Sequence, residues 1–413
     1  MDAANPARRD RRTTVMLVVV CQLVHALTLG GIALFLPLIR EDLQISFSQA
    51  GILSVAATLS YAAGQIPAGY FADRLGAKWL FFAGLLGWSI FALALALTQA
   101  FWVAVASLFV AGAFRALIFA PGLKLLTSWF PRERRATAIS VFMVGSFCGT
   151  IVLALAGPLL AARFGWRATF ICFALVGIAT ALVYGAFARD KPRGRETAPH
   201  PGMGETLRLF SHKVLWICSA LQVIRFSIVT AFNFWLPSLL LADRGFSLQS
   251  AGAVVAMSAA LSAPSNALGG YVSDRLRNPP LVIGGSLAIL ACTCVLLVTV
   301  ESVPALLLAI AVSAVFVQFY FGPLFYVPVE VLGQRNAGAV TGFSNLFANF
   351  GGLVSAYGLG VVKDAHGSFT WGFIGLGVLC LAGVALSALL ARMRKTLLAA
   401  KPARDLRYFP HAV

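Results

Sequence analysis

Three ionisable side chains stand in the middle of long apolar runs of this 413-residue chain: His25, Arg115 and Arg225. A charge in the centre of a bilayer costs roughly 3 kcal/mol or more unless it faces a cavity or a partner, so each is a candidate working residue. A guanidinium offers a planar fork that matches a carboxylate in bidentate fashion. An imidazole has an ordinary pKa of about 6.5, near physiological pH. The chemistry this set describes is the binding of an organic anion, with any proton dependence running through His25.

Residues three or four apart share one stripe of a helix, and that spacing gathers polar groups around the three. Gln22 and Thr28 flank His25, while Gln222 lies one turn from Arg225 and Asn233 two turns away. The stretch FVQFYFGPLFYVP adds Gln318, Tyr320 and Tyr326, and its Gly322-Pro323 pair is expected to break the helix. Ser265, Asn266, Asn345 and Asn349 bring further polarity, some of it for hydrogen bonding between helices. The candidate substrate-binding residues are Arg115, Arg225, His25, Gln22, Gln222, Gln318, Tyr320, Tyr326, Asn233 and Asn349. All 15 Asp and Glu fall in tails, loops or the ends of apolar runs, Glu330 being the deepest. A carrier of cations would hold an acid in mid-membrane; two arginines without one ask for an anion.

The elements that must position these groups are membrane helices. The chain is 59% hydrophobic and 11% charged, with a mean hydropathy of +0.86, whereas a soluble domain is about a quarter charged. Twelve runs are long enough to cross a hydrocarbon core: about 14–38, 50–72, 79–99, 102–128, 137–161, 168–188, 214–241, 249–272, 280–300, 303–329, 337–362 and 370–391. The first is too long for a signal peptide. The net charge of +17 does not mean nucleic acid, because the charges are sorted by side. With a cytoplasmic N-terminus, 24 of the 32 Lys and Arg are cytoplasmic, five (Arg40, Arg163, Arg167, Arg244, Lys363) are outside and three lie within spans. That bias predicts a multi-pass protein of the cell (inner) membrane with both termini cytoplasmic and basic loops against anionic lipid. Lys124, near the inner end of its span, is expected to reach the headgroups. The seven cysteines show no ligand spacing, so no metal or cofactor is expected.

The second half of the chain repeats the first. At an offset of 201, Gly69 falls on Gly270, Ala50-Gly51 on Ala251-Gly252 and Asp73-Arg74 on Asp274-Arg275; at 200, Leu36-Pro37 falls on Leu236-Pro237 and His25 on Arg225. Arg277 stands where the first copy has Gly76. The domains read as an N-terminal six-helix bundle over 1–188, a charged, Pro- and Gly-rich cytoplasmic linker over 189–213 with a short interfacial helix at its end, and a C-terminal six-helix bundle with a cytoplasmic tail over 214–413. Paired halves of this kind are the plan of transporters that bind substrate near the midplane.

The loop Gly69-x-x-x-Asp73-Arg74-x-Gly76-x-Lys78 resembles the signature of the major facilitator superfamily, and its copy sits where that family places a second one. The stretches APGLKLLTSWFPRERRATA (120–138) and ARFGWRATF (162–170) are similar to the organic-anion branches: the anion:cation symporters and the oxalate-formate and monocarboxylate groups. The resemblance implies an all-α membrane protein of twelve helices in two pseudo-symmetric bundles, with spans 1, 4, 7 and 10 lining the central cavity. It also implies a cytoplasmic latch built from Gly69, Asp73, Arg74, Asp274 and Arg275. The chain departs from the anion:cation symporters in carrying Arg115 where they place Glu.

The reading is a secondary transporter, expected as a monomer, that moves a mono- or dicarboxylate by alternating access, through anion exchange or proton coupling. An exporter of amphipathic or neutral compounds is the alternative that the 32 Phe allow. A non-transporting receptor of the same fold would share the same pocket residues. An enzyme is not expected, since no Gly-x-Ser-x-Gly elbow, His-Glu-x-x-His pair or phosphate loop is present.

Overall fold

The computed structural model describes residues 6–130, 135–189, 211–332 and 337–399. Hydrocarbon offers the backbone no hydrogen-bonding partner, which favours helices, and among the described residues there is no strand. The first half comprises α1 (Pro6–Leu34), α2 (Leu36–Asp42), α3 (Phe47–Arg74), α4 (Ala77–Leu97), α5 (Phe101–Ser128) and α6 (Arg135–Phe187). The second comprises α7 (Lys213–Thr230), a π-helical turn (Ala231–Trp235), α8 (Leu236–Ala242), α9 (Leu248–Leu276), α10 (Pro279–Thr299), α11 (Val303–Phe319), α12 (Phe321–Leu332), α13 (Ala337–His366) and α14 (Thr370–Ala399). The helix expected just before α7, with most of the linker, lies outside the described residues.

Among the described residues ten helical stretches are long and apolar enough to span a membrane, and α2 with Phe47–Gln65, bent by 117° at the break between them, makes an eleventh if the pair is taken as one span. The 53-residue α6 carries two of the twelve expected spans, because Gly165 breaks it at φ 81°, ψ 158°. Local signals explain other boundaries. Ser46 and Gln49 form a capping box at the start of α3, each side chain accepting the other's backbone N–H. Pro37 and Pro237, matched in the repeat, each sit in the first turn of a seven-residue helix that follows a break in a longer one. At the matched position of the Asp-Arg loop both copies take a positive φ, 94° at Gly76 and 50° at Arg277, which lacks a glycine's freedom.

By contact the described residues group into two units, those of Met1–Arg195 with Asn233–Ala256 and those of Glu196–Phe232 with Met257–Val413. In the first, α1 lies along α6, α5 packs on both α3 and α4, and α4 packs on α6. In the second, α7 lies along α13 and α10 along α14. The same neighbours recur at the level of the repeat, span 1 on span 5 as span 7 on span 11, and span 3 on span 6 as span 9 on span 12.

In the first unit the Trp-Arg pair of ARFGWRATF is a structural fastening. Asp42, at the end of α2, accepts from Trp166 Nε1 at 3.0 Å and Arg167 Nε at 2.7 Å. The Arg167 guanidinium also donates to the Ala96 and Thr98 carbonyls, at 2.8 and 2.6 Å, which the end of α4 leaves unpaired. One arginine thus ties three elements together, and the bend at Gly165 is what brings it there. Gly165 has no neighbouring atom within 4 Å of where a Cβ would stand, so only its backbone angles demand glycine. Gly165→Ala should therefore lower stability by about 1–3 kcal/mol, the strain of a Gly-only conformation, measured by thermal unfolding in detergent.

Candidate functional site

Arg115 sits halfway along α5, one turn after Gly112. A Cβ at Gly112 would collide with the Ala57 carbonyl and the Ser60 hydroxyl of α3, so glycine lets the two helices touch. That contact brings Tyr61 of α3 under Arg115, whose Cζ lies 4.3 Å from the ring centroid. On α1, the His25 ring meets Trp88 of α4 nearly edge-on, with centroids 5.2 Å apart and planes at 68°. His25 Nε2 and Gln22 Oε1 are buried and make no hydrogen bond within the protein. Arg115 is near enough for its charge to act on His25. Arginine, imidazole and amide of the first unit thus form one neighbourhood, with hydrogen-bonding capacity left over.

The second unit holds a similar group. Arg225, in the middle of the run that α7 begins, is 4% exposed and donates through Nη2 to Gln318 Oε1 at 3.2 Å. Its Cζ lies 4.5 Å from the Phe321 centroid and 6.0 Å from that of Phe226. The span-10 helix breaks at Tyr320, two residues before the Gly322-Pro323 pair, and that break presents Gln318 and Phe321 together. Gly269 of α9 packs directly against the Phe319 carbonyl beside the break, a place no Cβ could occupy. Arg225 Nε, both amide atoms of Gln222 and the Tyr320 hydroxyl are buried without hydrogen-bond partners. Among the described residues neither Arg115 nor Arg225 has a carboxylate partner. A guanidinium over an aromatic face recovers about 2 kcal/mol when desolvated and keeps its in-plane donors available.

The remaining sequence-derived residues are placed elsewhere. Tyr326 donates to Glu330 Oε1 at 3.2 Å. Glu330 is 0% exposed and accepts both Arg394 Nε at 2.6 Å and Nη2 at 2.8 Å, a forked ion pair between α12 and α14. Tyr326 thus touches that pair through its hydroxyl. Asn233 is exposed in the π-helical turn, and Asn349 donates to the Asn345 carbonyl of its own helix at 2.8 Å. Asp274 and Arg275 are exposed, Arg275 donating to the Tyr271 hydroxyl at 3.3 Å. Gly69 stands within α3, and the side chains of Asp73 and Arg74 lie outside what the structure describes. Sequence reasoning missed Tyr61, Trp88 and Phe321, each an aromatic residue in an apolar run with no polar signal of its own. It also missed Arg394 as the partner of Glu330, for which the depth of that lone acid was the clue.

A buried ion pair is costly to break from one side. Arg394→Ala should lower stability by about 3–5 kcal/mol by stranding Glu330, and Glu330→Met with Arg394→Leu should regain most of it, both read by thermal unfolding.

Comparison with known proteins gives the chain its relatives. The chain is 26% identical over 412 residues to the hexuronate transporter of Bacillus subtilis (strain 168), covering 94% of each protein. It is 25% identical to the D-galactonate transporter of Escherichia coli O6:H1, over 89% of this chain and 92% of that one. It is also 26% identical to the probable sulfoacetate transporter SauU of Cupriavidus necator, over 84% and 86%. Among solved structures, a bacterial homolog of the human lysosomal transporter Spinster superposes with a TM-score of 0.78 at 18% identity, covering 94% of this chain and 97% of that one, a likeness of fold. The profile of the Major Facilitator Superfamily matches residues 18–356, and with its helices, its repeated Asp-Arg loop and this match the chain belongs to that superfamily of membrane transporters.

Proposed function

We propose that the chain carries a small hydroxylated organic anion, a mono- or dicarboxylate, by alternating access, and that Arg115 and Arg225 bind its charged groups. The observation that carries this reading is the shared state of the two arginines: mid-helix, each against an aromatic ring, neither neutralised by a described carboxylate. A guanidinium left in that state is matched best by an anionic ligand. The unpaired amide atoms of Gln22 and Gln222, with Gln318 and the Tyr320 hydroxyl, suit ligand hydroxyls. The substrates after which these relatives are named, hexuronate, D-galactonate and sulfoacetate, are all organic anions. Tyr326, Asn233 and Asn349 are proposed as further contacts to the anion. The division into bundles 1–188 and 214–413 and the gating role of Gly69, Asp73, Arg74, Asp274 and Arg275 are proposed on the strength of the repeat. The placement of both termini in the cytoplasm of a bacterial-type inner membrane is proposed from the positive charges.

Uptake of labelled D-glucuronate, D-galactonate and sulfoacetate into proteoliposomes tests the reading. Arg115→Lys and Arg225→Lys keep the charge but lose the fork, and each should cut uptake of the preferred anion by roughly tenfold or more, the equivalent of one charged hydrogen bond. Uptake near the wild-type rate in both variants would sink it.

The mode of coupling is proposed to run through His25, which shares the neighbourhood of Arg115. A pH gradient imposed across the proteoliposomes should drive accumulation in wild type and not in His25→Gln. Accumulation that survives unchanged in the variant rules His25 out as the proton carrier, and its absence in wild type favours anion exchange.

A further inference from the structure

Histidine's χ2 is a soft, broad torsion, so an imidazole that must meet a ligand in one orientation has to be held by its surroundings. In the first unit the holder is Trp88, on α4 and 1% exposed. Its indole N–H donates to Thr28 Oγ1 at 2.7 Å, and the Thr28 hydroxyl donates in turn to the His25 carbonyl at 3.1 Å. The hydroxyl's proton is thus spent on its own helix while its lone pair receives the indole, which ties Trp88 to the backbone turn that carries His25. From that anchored position the indole meets the imidazole at 5.2 Å and 68°. His25 Nε2 is left buried without a partner, as is Gln22 Oε1 one turn away. A buried indole N–H needs an acceptor; here that acceptor is the hydroxyl that also binds the His25 carbonyl, so the bond that satisfies Trp88 also fixes its ring beside the imidazole.

We infer that Trp88 is a positioning residue that, through Thr28, sets the plane of the His25 imidazole and presents Nε2 to the bound anion beside Arg115. This rests on the reading of His25 and Arg115 as anion-binding groups. Holding a polar group in its binding orientation before the ligand arrives removes an ordering cost from binding, so the effect belongs in affinity and not in turnover.

The test uses full-length protein in lipid nanodiscs, labelled with 15N-histidine. The chain has five histidines, and His25 is assigned by the resonances lost in His25→Gln. Two gentle variants cut the link at either end: Thr28→Val removes the acceptor, and Trp88→Phe keeps an aromatic edge but removes the donor. Both should move the His25 ring resonances. Both should also raise the KM for whichever of D-glucuronate, D-galactonate or sulfoacetate the wild type takes up fastest, by about fivefold, the effect of one neutral hydrogen bond, with maximal velocity per folded molecule held within about twofold. Resonances unchanged in both variants overturn the inference, and so do shifted resonances with an unchanged KM, which would leave Trp88 as packing. Wild-type KM in His25→Gln overturns instead the underlying assignment of His25 to the site, an outcome separable from the first because the resonances report orientation without transport.

Discussion

A guanidinium taken out of water must recover its lost solvation from whatever surrounds it, and how each arginine of this chain does so sorts the structure. Arg394 is met by a buried carboxylate in a forked pair, and Arg167 by Asp42 and two helix-end carbonyls. Those arginines are spent on holding helices together. Arg115 and Arg225 are met by the faces of Tyr61 and Phe321, with one amide oxygen added for Arg225. Rings satisfy the flat face of the cation and leave its edge, where the directional donors lie. The same side chain therefore serves as a fastener where an acid is supplied, while at Arg115 and Arg225 it rests on a ring and faces no carboxylate among the described residues.

Those placements depend on helices approaching more closely than ordinary side chains allow. Lipid is as apolar as leucine, so no hydrophobic gain draws one membrane helix to another, and close contact has to come from small residues. Gly112 admits the backbone of α3 and so sets Tyr61 beside Arg115; Gly269 admits the Phe319 carbonyl beside the break that gathers Gln318, Tyr320 and Phe321. Gly145 and Gly149, four residues apart, bring α6 onto the Val19 and Leu23 carbonyls of α1, the helix that carries Gln22 and His25.

The repeat preserves backbone geometry better than chemistry. Pro37 and Pro237 open matching short helices, and Gly76 and Arg277 both take positive φ. Yet His25 and Arg225, one repeat apart, have different surroundings: an indole edge for the imidazole, a phenyl face and an amide for the guanidinium. A duplicated scaffold of this kind fixes where a side chain stands and leaves its type free.

The helices, the repeat and the placement of Arg115, Arg225 and His25 in mid-span were legible in the sequence, because hydrocarbon thickness and the cost of a buried charge act on each residue one span at a time. The non-helical backbone at Gly165 separates the two runs read there as two spans, while the break in span 10 came two residues before its Gly-Pro pair, a small error of the kind local signals leave. Tyr326 has a partner that spacing does not show. Its spacing set it with Gln318 and Tyr320, yet Glu330, one turn further on, holds it, and the reason lies on α14 with Arg394. Tyr61, Trp88 and Phe321 were invisible for the same cause. An aromatic side chain in an apolar run looks alike whether it faces lipid, a neighbouring helix or a cation. What the sequence by itself determined was which residues could not be at rest in a membrane; which partners each found was decided only by tertiary structure, since those partners come from other helices and no periodicity along one chain segment encodes them.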